Sequence, residues 1–289
     1  YARQWILPWI LVEVEDQSLQ RQCQMAKQAL TAAGLEYPLV GKPNMGCRGV
    51  GVRLLKDDAE LADYLQGFPV GGCIQFQKLS QWDAEAGVFY VRDPDKATGE
   101  VTSLTLKYTP FVVGDGERQL AELVAADARA GELLHLYRSR HVARWHDVIP
   151  RGEPYRLVFA ASHSRGAIFR DAGELISQKL SQSLDKIFED IPGFYYGRLD
   201  VKFKNIECLS AGLEFNIIEI NGASSESINI WDRNAGLITA INTLLQQYRT
   251  LFKLGSISRK RGARPPGLMA LYRAWRFENN LVKQYPPND

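Results

Sequence analysis

The sequence predicts an α+β fold. Short strand-like apolar runs are mixed with helical segments along the whole chain, and several strands read as hairpins rather than as single strands each feeding a helix. The length of 289 residues fits one large domain or two ordinary ones, and 45% hydrophobic with 24% charged residues is the composition of a soluble globular protein with a sizeable core.

Taken in order, "WILPWILVEV" is too short for a bilayer span, which needs about 20 residues, and contains Pro8. It reads as a buried strand or an edge segment. The chain opens on Tyr1 rather than methionine, so the natural N-terminus is expected upstream. A helix is expected over residues 17–33, stopped by Gly34. "YPLVGK" and "GVRLL" form a hairpin around a glycine-rich turn, and "DDAELADYLQGF" restarts a helix with Asp57 as N-cap and Glu60 in the first turn.

Three strands follow, "CIQFQKL", "GVFYVRD" and "VTSLTLKY", then an Asp-Gly turn and an amphipathic helix in "VVGDGERQLAELVA". "YRLVFAAS" and "GAIFRD" read as a further hairpin, with Arg170 and Asp171 in a turn. A helix over 174–190 precedes the strands "FYYGRLDVKF" and "EFNIIEIN", and helices over 235–251 and 268–283 finish the chain. The basic, Gly- and Pro-containing stretch 255–266 reads as a linker.

A net charge of +2 gives no general attraction to nucleic acid; the excess is local, in "SRKRGAR", and reads as a solvated basic segment. Cys23, Cys47, Cys73 and Cys208 fit no zinc spacing, and with no signal peptide expected, reduced thiols and a cytoplasmic location are the expectation. His135, His141 and His146 have no acid or cysteine at metal-ligand spacing.

Two clusters carry chemistry. In "YPLVGKPNMGCRGVGV", Lys42 precedes Gly46, Gly49 and Gly51. The spacing matches neither the dinucleotide fingerprint nor the P-loop. What remains is either plain turn chemistry or a loop whose backbone N–H groups fold over phosphate oxygens beside a lysine point charge. Cys47 reads as a small loop residue. In the second cluster, Arg198, Asp200 and Lys202 alternate along one strand, while Glu219 and Asn221 share a face of the next after Phe215 and Ile217. Paired antiparallel, Asp200, Glu219 and Asn221 converge as a hard all-oxygen set suited to Mg²⁺. An acid such as Glu219, buried among isoleucines, would need a partnered ion; a cross-strand salt bridge between Arg198 and Glu219 is the plainer alternative.

Together these motifs resemble the ATP-grasp superfamily, within it the D-alanine–D-alanine ligase-like carboxylate–amine ligases. The "K-P" strand with its glycine loop and the paired strands ending in "EINGASSES" carry the resemblance, and "VVGDGERQLAELV" is similar to a segment of cyanophycin synthetase-like members. It implies two α+β lobes clasping a nucleotide between antiparallel sheets, with ATP and Mg²⁺ (or Mn²⁺) as cofactors. By resemblance, Lys42 holds the α- and β-phosphates, and Gly46, Gly49 and Gly51 close over the β- and γ-phosphates. Leu79 supplies backbone contacts to the adenine and Glu85 meets the ribose. Lys78 stands where an adenine-accepting acid is common. Lys107 reaches the terminal phosphates, Asp200, Glu219 and Asn221 hold the metal, and Arg198 stabilises charge on the transferred groups. His163 and Arg165 border the acceptor pocket, with Ser225 on the substrate side.

The resemblance implies four segments: residues 1–25 as the remnant of a preceding domain, 26–92 as the lobe with the phosphate-binding lysine, 93–254 as the lobe with the metal-binding strands, and 255–289 as basic linker and terminal helix. Besides Lys78, two features depart from the pattern. Ile228 and Asn229 replace a usual Thr-His pair, and the stretch ahead of Lys42 is shorter than a further mononucleotide-type unit requires. The function implied is an ATP-dependent ligase joining a carboxylate to an amine through an acyl phosphate. The alternative is an ATP–Mg-binding module without ligase chemistry. Small-molecule or peptide carboxylates and amines are the expected partners, with no nucleic acid and no membrane span, and a homodimer is compatible with the sequence.

Overall fold

The computed structural model describes residues 2–46, 49–160, 162–189 and 191–286. Cys47 lies outside the described residues. In chain order the elements are β1 (Trp9–Glu13), α1 (Leu19–Ala32), β2 (Leu39–Pro43), β3 (Arg53–Leu55), α2 (Asp58–Gln66), β4 (Cys73–Lys78), β5 (Ala84–Val91), β6 (Glu100–Tyr108), β7 (Phe111–Val113), α3 (Leu120–Ala126), α4 (Leu134–Arg140), β8 (Pro154–Arg156), β9 (Ile168–Asp171), α5 (Gln178–Glu189), β10 (Tyr196–Phe203), α6 (Ile206–Ser210), β11 (Phe215–Asn221), α7 (Leu237–Lys260) and α8 (Leu268–Val282). Every sheet is antiparallel, as an α+β chain of hairpins requires.

The chain divides into two compact units, both discontinuous in sequence where contiguous segments were expected. The first comprises Tyr1–Leu7, Ser80–Tyr108 and Ile168–Pro266; the second comprises Pro8–Leu79, Thr109–Ala167 and Gly267–Asp289.

In the second unit a four-stranded sheet, order β1-β4-β2-β3, is covered by α1 and α2. Ser18 caps α1 by accepting from the Arg21 N–H, and Asp57 caps α2 by accepting from the Ala59 and Glu60 N–H groups. Ala26 and Leu30 of α1 and Leu61 and Tyr64 of α2 bury against Leu39, Leu55, Ile74 and Phe76. Of the two readings of "WILPWILVEV", a buried strand or an edge segment, the edge holds: β1 is the sheet's edge strand, with Trp9 and Leu11 exposed. A smaller core forms where α3 and α4 pack around β7 and β8, with Leu120, Tyr137, Ile149 and Leu157 inside.

In the first unit a five-stranded sheet, order β11-β10-β5-β6-β9, buries one face against α5. Ala86, Val88, Leu104, Leu199, Val201 and Phe203 meet Leu180, Leu184, Ile187 and Phe188 there. The other face is polar and carries the residues described below.

Three expectations are corrected. "YRLVFAAS" and "GAIFRD" do not pair with each other: β8 pairs with β7, and β9 completes the large sheet beside β6. Arg170 and Asp171 therefore lie in β9, with Arg170 opposite Leu106, rather than in a turn. The stretch 255–266 is only partly a linker, because α7 runs through Gly255 to Lys260. Gly255 costs helix stability, about 1 kcal/mol against alanine, and nothing in its surroundings forces a break.

Candidate functional site

The first unit concentrates charge on the polar face of its large sheet. Register places Glu85 opposite Lys107 on β6 and opposite Lys202 on β10; Asp200 lies opposite Gly87 on one side and Glu219 on the other. Lys107 Nζ lies 2.9 Å from Glu85 Oε1 and 3.0 Å from Asp200 Oδ2. Lys202 Nζ lies 3.0 Å from Glu85 Oε2. The Arg198 guanidinium donates from Nε to Asp200 Oδ1 at 3.0 Å and from Nη1 to the Glu226 carbonyl at 3.2 Å, tying the loop after β11 to β10.

These groups are withdrawn from water: Glu85 and Lys107 are each 8% exposed and Asp200 is 4% exposed. Burial by itself would push the Glu85 carboxyl up, but the Lys107 and Lys202 ammoniums overcome it and hold the group at about 2. Burial pulls the Lys107 ammonium down, and Asp200 and Glu85 more than reverse that, leaving it raised. Arg198 is raised in the same way, chiefly through Asp200. Each buried charge thus has a partner, which is the condition for keeping it buried.

The strand β11 differs from strict alternation. Asp200 pairs with Glu219 but Val201 pairs with Ile217, so Ile218 is an extra, bulged residue. Phe215 and Ile217 consequently point into the core with Phe203 and Val201, while Glu219 and Asn221 fall on the polar face beside Asp200 and Arg198. Two expectations are corrected here. Glu219 does not share a face with Phe215 and Ile217, and it is exposed rather than buried among isoleucines.

Gly87 leaves room on this face. A Cβ there would sit 2.7 Å from Ile228 Cδ1 and 3.3 Å from Arg198 Cδ, so the 3-10 turn Ile228–Trp231 and the arginine both close down on the strand. Asn221 Nδ2 and Thr105 Oγ1 are buried without a hydrogen-bond partner. Ser225 donates within its own turn, to the Gly222 carbonyl at 2.6 Å and the Asn221 carbonyl at 3.2 Å. Asp232, which sequence reasoning missed, accepts from the Asp171 N–H at 2.7 Å and pairs with Arg170 at 3.2 Å.

The donors suit a divalent cation in kind: two carboxylates and an amide on adjacent antiparallel positions, with an amide edge left unsatisfied. Asp200 retains lone-pair capacity beyond its contacts with Arg198 and Lys107. Among the described residues, no group of three or more His, Cys, Asp and Glu is arranged to hold a metal, so Asn221 is needed to complete any such set.

In the second unit Lys42 lies on β2, on the sheet face turned away from α1 and α2, and donates to Gln77 Oε1 at 2.9 Å. The glycine turn that follows is built for a bare backbone. Gly49 and Gly51 adopt φ of +69° and +73°, and a Cβ on Gly51 would meet Pro43 Cγ at 2.7 Å. Two tyrosines hold the turn from outside: Tyr64 Oη donates to the Gly51 carbonyl and Tyr285 Oη to the Met45 carbonyl, both at 2.7 Å. The Tyr64 ring reaches this point by lying against Gly41, where a Cβ would come within 2.8 Å.

Arg165, 9% exposed, donates from Nη1 to the Gly49 carbonyl at 3.1 Å. Burial, and then the nearby Arg140, lower its guanidinium to about 10. His163 begins the 3-10 turn His163–Arg165 and is exposed. Gly46 and Lys78 are exposed, Leu79 is half-buried, and the Lys78 N–H donates to the Pro8 carbonyl at 2.9 Å. Lys42, Gly46, Gly49, Gly51, Lys78, Leu79, His163 and Arg165 thus belong to the second unit. Glu85, Lys107, Arg198, Asp200, Glu219, Asn221 and Ser225 belong to the first.

No helix among the described residues is long and apolar enough to cross a membrane. No protein-family model matches the chain, and no curated protein matches its sequence. Solved structures do resemble it. They include a bifunctional glutathione synthetase from Pasteurella multocida, at 16% identity and TM-score 0.38, covering 85% of this chain and 34% of that one. A D-alanine–D-alanine ligase from Bacillus anthracis matches at 13% identity and TM-score 0.44, covering 90% and 64%. The ATP-grasp ligase PsnB, complexed with a minimal precursor, matches at 13% identity and TM-score 0.41, covering 84% and 55%. The chain spans less than two thirds of the length of each of these proteins, and its similarity to them is one of fold.

Proposed function

We propose that the protein is an ATP-dependent ligase that joins a carboxylate to an amine through an acyl phosphate. The observation that supports this most is the pairing of Asp200 with Glu219 on a sheet face where Lys107 is buried and Arg198 half-buried beside them. A sheet face that only had to be soluble would not bury Glu85, Lys107 and Asp200; one that handles a polyanion and a cation gains from a fixed, low-dielectric set of opposite charges.

In this reading Asp200, Glu219 and Asn221 hold Mg²⁺, which when bound withdraws charge from phosphate oxygens. Lys42 and the N–H groups of the glycine turn bind phosphate, and Lys107 and Arg198 stabilise negative charge that grows on the transferred group. A substrate carboxylate oxygen attacks the γ-phosphorus, the bond to the ADP oxygen breaks, and ADP leaves with the bonding pair. The amine nitrogen then attacks the acyl carbon, phosphate departs with its bonding electrons, and the amine loses a proton to solvent. The residues act by position and charge, with no covalent intermediate on the protein.

The test is ADP release from ATP and Mg²⁺ across a panel of carboxylates and amines. ADP formation that requires both substrates supports the reading, and full activity in Glu219→Ala ends it. A second reading, nucleotide binding without ligation, draws on the commitment of Asp200 to two cations in this structure. Under it, calorimetry detects ATP–Mg²⁺ binding while no ADP or acyl phosphate forms with any substrate pair.

A further inference from the structure

Within the second unit the end of the chain returns to the glycine turn. Leu281 and Val282, at the end of α8, pack on the core of the four-stranded sheet, and Tyr285 follows with its ring 4.9 Å from that of Phe68. Bare backbone admits this segment: a Cβ on Gly51 would lie 3.2 Å from Tyr285 Cβ, and one on Gly67 would lie 3.1 Å from Pro286 Cβ. Phenylalanine would fill the same place against Phe68. What tyrosine adds is the hydroxyl, which donates to the Met45 carbonyl at 2.7 Å from 240 positions away in sequence. Burial, helped by the Glu278 charge, raises the ionisation of that hydroxyl, so it stays a donor.

We propose that Tyr285 is a positioning residue of the phosphate site, and that the segment after α8 is a strap whose hydroxyl sets the direction of an N–H at the entry of the glycine turn. The assignment rests on the phosphate-binding role proposed above for that turn. A trans peptide points its carbonyl and its N–H to opposite sides. Drawing the Met45 carbonyl toward Tyr285 therefore turns the Gly46 N–H away from the strap, at an exposed residue where a phosphate oxygen can accept from it. Tyr64 acts differently. It holds the Gly51 carbonyl, while the Val52 N–H of the same peptide donates to the Gly49 carbonyl at 3.2 Å and closes the turn on itself. One tyrosine thus sets the shape of the turn and the other aims its entry. A peptide fixed before the nucleotide arrives does not have to be immobilised when it binds, which favours affinity without adding a contact.

The test is isothermal titration calorimetry of the full chain with ATP–Mg²⁺, inorganic triphosphate and AMP. Tyr285→Phe keeps the ring on Phe68 and removes only the hydroxyl. It is expected to weaken ATP–Mg²⁺ and triphosphate about tenfold, the equivalent of one well-aimed hydrogen bond, and to leave AMP, which has no β- or γ-phosphate, within about twofold. A purely structural role would move all three ligands together or none of them. Tyr272→Phe, which takes a hydroxyl from the exposed part of α8, is expected to change nothing. With a wild type that binds ATP–Mg²⁺, unchanged affinity in Tyr285→Phe, an equal loss for AMP, or the same loss in Tyr272→Phe would each overturn the assignment. A wild type that binds neither ATP–Mg²⁺ nor triphosphate would end the phosphate reading of the turn itself, and the assignment with it.

Discussion

Asp200 and Glu219 stand opposite each other across β10 and β11 because Ile218 bulges out of the ladder between them and the apolar pairs that follow. One extra residue lets a strand that begins as core, Phe215 and Ile217, end as a polar edge of a charged face. The chain therefore serves the core and a charged sheet face with seven consecutive residues.

The buried network should make Lys107 the most costly single removal on that face. Lys107→Met leaves Glu85 with Lys202 alone and Asp200 with Arg198 alone, so the loss should fall below the ~3–5 kcal/mol of a buried charge left with no partner. Urea unfolding should show that loss. Adding Glu85→Gln should recover part of it, because Glu85 is then left with Lys202 as its one cation on a buried position; an additive double mutant would contradict the coupling.

Acid should act on the same network. The Glu85 carboxyl sits at about 2 in the folded chain against an ordinary 4.5, so its contribution is complete above about pH 4.5 and is lost as pH falls toward 2. The shift corresponds to about 3 kcal/mol. The midpoint of thermal unfolding should drop over that window, and Glu85→Gln should flatten the drop. Lys107, being raised, contributes in the opposite sense: its share persists below its ordinary 10.5 and is lost only in stronger alkali.

How much of this was legible in the sequence depends on the range of the interaction. The α+β class, the Asp57 cap, the β2–β3 hairpin and the alternation of Arg198, Asp200 and Lys202 are local patterns and read directly. The bulge at Ile218 has no local signal, since no Gly or Pro marks it, and strict alternation therefore put Glu219 on the wrong face. The pairing of β8 with β7 and of β9 with β6 depends on strands far apart in the chain. Tyr64 was equally hidden: it supports the glycine turn only because Gly41, a residue in another element, makes space for its ring. Asp232 lacked a recognisable motif and acts through two β9 residues.

The glycine turn separates strain from space. Gly34 and Gly51 both have positive φ, +64° and +73°, but a Cβ on Gly34 meets nothing within 4 Å while one on Gly51 meets Pro43. Gly34→Ala should cost about 1 kcal/mol, the conformational term alone. Gly51→Ala should cost about 2–3 kcal/mol because the clash adds to it. Tyr64→Phe, which removes only the hydroxyl held on the Gly51 carbonyl, should cost about 1 kcal/mol and weaken ATP binding measured by calorimetry. Unchanged nucleotide affinity in both Gly51→Ala and Tyr64→Phe would remove the turn from the proposed phosphate site.

Arg198 offers the sharpest division between charge and shape. Its guanidinium engages Asp200 through Nε while Nη1 holds the Glu226 carbonyl, so one planar fork fixes both a carboxylate and the loop after β11. Arg198→Lys keeps the positive charge but can satisfy only one of these directions at a time. If the guanidinium acts chiefly through geometry, the substitution should lower substrate-dependent ADP release about a hundredfold, leave ATP affinity within about threefold, and loosen residues 222–227 in hydrogen exchange. If charge alone matters, Arg198→Lys should work nearly as well as the native chain while Arg198→Met fails. The hydrogen-exchange reading distinguishes the two even before a substrate pair is known, because protection of the loop depends on the Glu226 contact and not on turnover.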